Sequence, residues 1–269
     1  MLGDDVDALV DWLFTAQTET SGGAEKVLKP AWIPDILIPF GAVGETADLT
    51  GISDRSLGVL RILLLGVERL IARIAQSYQS RVIRDRKCHI LLPLSPNHGV
   101  FGGDGMYAES KSALESLLNK WRSEQEAWGR FATLVGARIG WVRGTGLMDA
   151  NDVLAARLEE GGDLRTFSTE EMGLLLLGCL VDPVREHAGS EPIIAVLAGQ
   201  DRTKSPVLGD IGQHLGDALS RNREGLAAQE RTQERAHWTG KRFVEKVPFA
   251  IANGLFYQPD IGANIVFFF

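Results

Sequence analysis

The chain alternates short, wholly apolar runs with longer stretches whose apolar residues recur at helical spacing. Ile36-Leu37-Ile38-Pro39-Phe40, Cys88 to Leu94, Phe131 to Ile139 and Pro192 to Leu197 are the short runs, and each predicts a buried strand. Pro39 is tolerable at the end of such a strand, where no ladder donor is needed. Between them, Leu57, Leu60, Leu64, Val67, Ile71 and Ile74 predict one long helix over Ser56 to Ser80. Leu114, Leu117, Leu118 and Trp121 predict a second, over Ala108 to Trp128. A third spans Thr169 to Leu180, where the Ser168 hydroxyl can accept a backbone N–H two or three residues on. Strands apolar on both faces, alternating with helices, imply a parallel α/β sheet covered on both sides. In such sheets ligands bind beyond the carboxyl ends of the strands.

Outside this pattern, Asp4 to Ala16 reads as an amphipathic helix and Ser21-Gly22-Gly23 as a turn. The chain therefore divides into a helix and linker over 1–34, an α/β unit over 35–200, and a helical extension with an apolar tail over 201–269. Asp217 to Ala236 is rich in both charges and reads as a solvated helix or an interaction arm. Val247 to Phe269 is apolar but broken by Asn253, Gln258, Pro259, Asp260 and Asn264, so it is no membrane span. Phe267-Phe268-Phe269 needs a cover to avoid aggregation. At 269 residues, 45% hydrophobic and 23% charged, the chain is an ordinary globule. A net charge of −7 disfavours nucleic acid. Cys88 and Cys179 lie in apolar runs and read as small buried residues, which suits a reducing cytoplasm. The histidines show no ligand spacing with each other or with the cysteines, so no metal is assigned.

The candidate chemistry lies at one strand end. Ser95 closes the apolar run Ile90 to Leu94, a loop with Gly99, Gly102, Gly103 and Gly105 follows, and a helix opens near Tyr107. Lys111 stands four residues on, one helical turn, so both side chains share a face. A phenol ionises near pH ~10, and a neighbouring ammonium is expected to lower that value and make the tyrosine a usable proton donor. Ser95 reaches the same oxygen if the loop folds back. Tyr-x-x-x-Lys alone is a weak pattern, most often a solvated helix face; the strand end, serine and glycines around it raise a carbonyl reductase site to equal standing with that reading. His98 is most simply a loop histidine, and Asp104 a residue that orients the loop. Arg143 can meet a cofactor phosphate or carboxamide, and the Thr145 hydroxyl, which donates and accepts, suits a carboxamide.

Leu92 to Tyr107 followed by Glu109-Ser110-Lys111 resembles the ketoreductase active-site segment of the type I fatty acid synthases of fungi and actinobacteria. Ile139 to Met148 is similar to a second signature of that family, and Arg165-Thr166-Phe167-Ser168 with Glu171-Met172 to a third. Pro39-Phe40-Gly41-Ala42-Val43 and Glu45 resemble the segment after an earlier strand. The resemblance runs from about Asp35 to about Leu180. It implies a short-chain dehydrogenase/reductase fold, NADPH as hydride donor and a 3-oxoacyl thioester on acyl carrier protein as substrate. Ser95, Tyr107 and Lys111 are then catalytic; Phe40, Gly41, Ala42, Arg143, Gly144 and Thr145, with Tyr107 and Lys111, line the cofactor. It also implies partners in the other synthase domains and a larger homo-oligomeric assembly.

Two departures temper the resemblance. No strand, Gly-rich turn and helix precede Asp35, so the doubly wound sheet is expected to be incomplete, lacking its first strands and phosphate-gripping loop. Gly66 stands where the family's proton-relay asparagine is expected, and no other asparagine lies between Ala31 and His89. A non-catalytic structural piece of the synthase, or a free-standing reductase of another carbonyl such as a polyketide intermediate, are the rival readings.

Overall fold

Apolar runs too short for helices pair side by side, and the amphipathic stretches pack across them. The structure, a computed structural model, describes residues 2–99, 102–147, 155–156, 159, 165–199 and 265–268. Its centre is a parallel sheet of β3 (Ile36–Pro39), β4 (Cys88–Leu94), β5 (Ala132–Ile139), β6 (Ile193–Leu197) and β7 (Ile265–Phe268), in the order β6-β5-β4-β3-β7. β4 and β5 pair along seven residues, from Cys88 opposite Ala132 to Leu94 opposite Arg138.

Side chains of a strand alternate between faces, and here both faces are dry. Cys88, Ile90, Leu92 and Leu94 enter one core with α1 (Leu2–Phe14), α3 (Val67–Ser80), α4 (Tyr107–Glu115) and α5 (Leu117–Ser123). Leu91, with Val135 and Ala137, enters the other, beneath α6 (Thr169–Gly178) and α7 (Asp182–Ala188). That two-sided burial explains why β4 reads as an unbroken apolar run. Ser168 caps α6 as expected, accepting the Glu171 N–H at 3.1 Å while Glu171 Oε2 accepts the Ser168 N–H at 2.9 Å. Cys88 and Cys179 are free and buried.

Several boundaries differ from the sequence pattern. The helix over Ser56 to Ser80 is α2 (Asp54–Leu60), a π-helical turn over Arg61–Gly66, then α3. The second helix ends at Ser123, and Cys179 to Val181 separate α6 from α7. Residues 17–29 hold a β-hairpin, β1 (Gln17–Ser21) with β2 (Ala24–Lys29), rather than a linker. α1 is not a separate appendage: Val10, Leu13 and Phe14 are buried in the first core, and Asp7 and Asp11 pair with Arg69 and Arg73 of α3. β7 runs beside β3, Ile36 opposite Ile265 and Pro39 opposite Phe268, so the backbone of the phenylalanine-rich end is paired. The charged segment Asp217 to Ala236, and most of the extension assigned to 201–269, lie outside the described residues. Among the described residues no helix is long and apolar enough to cross a membrane.

His89 ties the sheet to α6. It is 1% exposed; Nε2 lies 3.0 Å from the Cys179 carbonyl and Nδ1 2.7 Å from Thr133 Oγ1. A carbonyl only accepts, so Nε2 carries the proton and Nδ1 accepts from Thr133. Burial holds the His89 pKa below 6.5. The unfolded chain then binds the extra proton first, so this contribution to stability is present above pH 6.5 and is lost as pH falls below it. Urea midpoints taken between pH 7 and pH 5 should drop for the parent and drop less for His89→Gln. Equal pH slopes for the two proteins would remove His89 as the cause.

Candidate active site

Because β3, β4 and β5 are parallel neighbours, the segments that follow them emerge at one end of the sheet. Those segments carry every residue singled out by the sequence. The loop after β3 and the turn after β5 converge: a Cβ placed on Gly44 would meet Leu147 Cδ1 at 3.5 Å. Phe40 packs on the second core, while Gly41 borders open space, with nothing within 4 Å of an added Cβ. Ala42 is exposed.

Ser95 is 7% exposed, directly beyond β4. Its Oγ accepts the Asn97 N–H at 3.1 Å, and its proximity to the Tyr107 phenol favours the ionised form of that group. Asn97 Nδ2 donates to Asp104 Oδ2 at 2.9 Å, and the Tyr107 N–H donates to the Asp104 carbonyl at 3.1 Å. The serine loop is thereby fastened to the first turn of α4. Asp104 has the loop role assigned to it; burial holds its carboxyl above the usual range.

Lys111 lies one turn beyond Tyr107, 4% exposed, its Nζ 5.6 Å from the Tyr107 ring centroid. It donates to the Pro93 carbonyl at 2.7 Å. Its charge does not lower the tyrosine here. Burial pushes Tyr107 upward, more than Ser95 pulls it down, and burial pushes Lys111 down to about 8. Desolvation disfavours phenolate and ammonium alike, and the Asp104 charge adds to the upward push on Tyr107. The phenol is therefore protonated at neutral pH, the state a proton donor requires.

Arg143, Gly144 and Thr145 form the exposed turn after β5. The Arg143 N–H donates to the Phe167 carbonyl at 2.9 Å, and Thr145 Oγ1 to the Val142 carbonyl at 3.2 Å. They share the sheet end with Tyr107. His98 stands beside Glu115, Nε2 to Oε2 3.7 Å, which suits a loop histidine. Gly66 ends the π turn, and a Cβ there would come within 3.1 Å of the Arg61 carbonyl. The widened turn crowds a side chain at that place.

Sequence reasoning passed over Asn97 and the contacts of Glu45. Asn97 carried a signal, since an amide two residues past a strand-end serine suits a bond across the loop. Glu45 Oε2 accepts the Met106 N–H at 3.2 Å, a partner 61 residues away in the chain.

A parallel sheet with helices on both faces, and a serine, tyrosine and lysine beyond its strand ends, defines a short-chain dehydrogenase/reductase-type fold. The solved structures agree: a 4-hydroxyisoleucine dehydrogenase complexed with NADH superposes with a TM-score of 0.52, at 18% identity, over 65% of this chain and 70% of that one. A short chain dehydrogenase/reductase family protein gives 0.50 at 17% identity, over 74% of each. No protein-family model matches the chain. Fatty acid synthase subunit alpha of Lachancea kluyveri is 42% identical over 196 residues, as is that of Saccharomyces cerevisiae, and that of Schizosaccharomyces pombe is 40% identical over 196. Each match takes in 72% of this chain and 10% of the relative, so the chain spans about a tenth of the length of those subunits. Over those 196 residues the chain is homologous to one segment of the fatty acid synthase alpha subunit.

Proposed function

We propose that the chain carries the ketoreductase site of a type I fatty acid synthase, reducing 3-oxoacyl to 3-hydroxyacyl groups on acyl carrier protein with NADPH. The observation that carries this reading is the buried Ser95 directly beyond β4, beside Tyr107 at the start of α4, with a buried Lys111 one turn on. Ser95 holds the substrate carbonyl oxygen, and Tyr107 gives that oxygen a proton. Lys111 meets the Pro93 carbonyl through one of its three N–H donors. Among the described residues no second acceptor engages it, which suits ribose hydroxyls. Gly41, Ala42 and the Arg143-Gly144-Thr145 turn would hold the nicotinamide end. The bound nucleotide supplies the hydride that the substrate carbon receives.

The pyrophosphate end fits less well. Gly99-x-x-x-Gly103-x-Gly105 has the spacing of a phosphate turn between a strand and a helix, but the Glu45 carboxylate is seated on the Met106 N–H there. The 269-residue chain alone should therefore bind NADPH weakly. Fusion to a strand, Gly-rich turn and helix taken from a dinucleotide-binding fold should tighten binding by about 100-fold, near 2.7 kcal/mol. Fluorescence titration of NADPH, followed by its oxidation with a 3-oxoacyl thioester, checks both steps. Micromolar affinity in the bare chain would refute the weak-binding expectation. Tight binding by the fused protein without reduction would favour a purely structural segment. Within the synthase, acyl carrier protein, the neighbouring domains and further copies of the subunit are the partners of this segment.

A further inference from the structure

Glu45 is a carboxylate only 8% exposed, in the loop after β3, apart from the elements that bear Ser95, Tyr107 and Lys111. Its Oε2 accepts the N–H of Met106, the residue before Tyr107. Its Oε1 accepts the Ser56 hydroxyl at 2.5 Å, and Ser56 Oγ in turn accepts the Ser53 N–H at 3.1 Å, at the cap of α2. Main-chain bonds zip the same two segments together, Ala47 N–H to Gly103 carbonyl at 3.1 Å and Gly105 N–H to Ala47 carbonyl at 2.9 Å. Gly105 has φ +56°, and a Cβ there would collide with the Glu45 carboxyl. One side chain thus joins three elements at the start of α4, and only glycine leaves it room.

Both groups facing Glu45 are donors, so the place requires two acceptor oxygens or their near equivalent. A negative group is also favoured at the amino end of a helix. We propose that Glu45 is a positioning residue that fixes the first turn of α4, and with it the Tyr107 phenol relative to Ser95 and the carbonyl. This rests on the reading of Tyr107 as proton donor. Glutamine can substitute, because its oxygen can take the Met106 N–H while its amide donates to Ser56 Oγ. Alanine cannot.

The chain has three tyrosines, Tyr78, Tyr107 and Tyr257. The full chain labelled with 3-fluorotyrosine therefore gives few fluorine signals, and Tyr107→Phe assigns the one of interest. Tyr78, buried and donating to the Pro34 carbonyl at 2.7 Å, is the internal control. Glu45→Ala should move the Tyr107 signal and leave Tyr78 in place, and Glu45→Gln should restore it. Gly105→Ala, which displaces the same carboxyl, should reproduce the alanine result if Glu45→Ala fails to fold. In the synthase, Glu45→Ala should cut kcat by about 100-fold with KM little changed, and Glu45→Gln should keep most of the rate. An unmoved Tyr107 signal, or Tyr78 and Tyr107 moving together, overturns the proposal. Loss of the reading shows elsewhere: Tyr107→Phe would then leave reduction intact, whatever the fluorine signals do.

Discussion

Replacing Tyr107 with phenylalanine should remove ketone reduction and leave the fold in place. The substitution deletes one hydroxyl from a ring that stays packed at the start of α4. The fold loses at most the phenol's polar interaction with Ser95, worth about 1 kcal/mol. Chemistry loses its proton donor, and general acid catalysis contributes about 10²–10⁴-fold. The two effects are therefore far apart, and urea melts and single-turnover rates separate them. Ser95→Ala should lie between, because the phenol keeps its proton but loses the partner that orients it. A Tyr107→Phe rate within about threefold of the parent would take Tyr107 out of the mechanism.

The sheet was legible wherever burial is two-sided. β4 has no exposed face, so every residue from Cys88 to Leu94 is apolar or internally satisfied, and its bounds were read without error. The β1–β2 hairpin was not legible as strands. Nearly all its residues are exposed, so no alternation marks it beyond the glycines of its turn. β7 was hidden for another reason: its partner β3 lies at the far end of the sequence, and local pattern says nothing of such pairing. The site divides the same way. Ser95, Tyr107 and Lys111 are close in sequence and were found together. The Glu45–Met106 bond crosses from one strand end to another and left no local trace. The direction of the Tyr107 shift was misjudged because spacing shows that Lys111 is near, whereas only the packed structure shows how dry both groups are.

That dryness makes Lys111→Met the more diagnostic substitution, since it should stabilise the fold while it abolishes reduction. Lys111 is 4% exposed, and its pKa falls from 10.5 to about 8. Below pH 8 both folded and unfolded chains carry the charge, and the folded chain bears the full cost of burying it. Between pH 8 and 10.5 the unfolded chain holds a proton that the folded chain releases, so the parent gains stability as pH rises. The shift corresponds to roughly 3 kcal/mol of burial cost at neutral pH. Methionine keeps most of the stem and removes that cost, but it leaves the Pro93 carbonyl without its donor, a loss of about 1–3 kcal/mol. The variant should therefore be about 1 kcal/mol more stable than the parent at pH 7, and should lose that lead by pH 10. Reduction should fail at every pH, because the ribose loses its ammonium donors. Urea midpoints at pH 7 and pH 10, with rates on the same samples, decide it. A variant destabilised equally at both pH values would make Lys111 a packing residue. One that still reduces the thioester would place it outside the site.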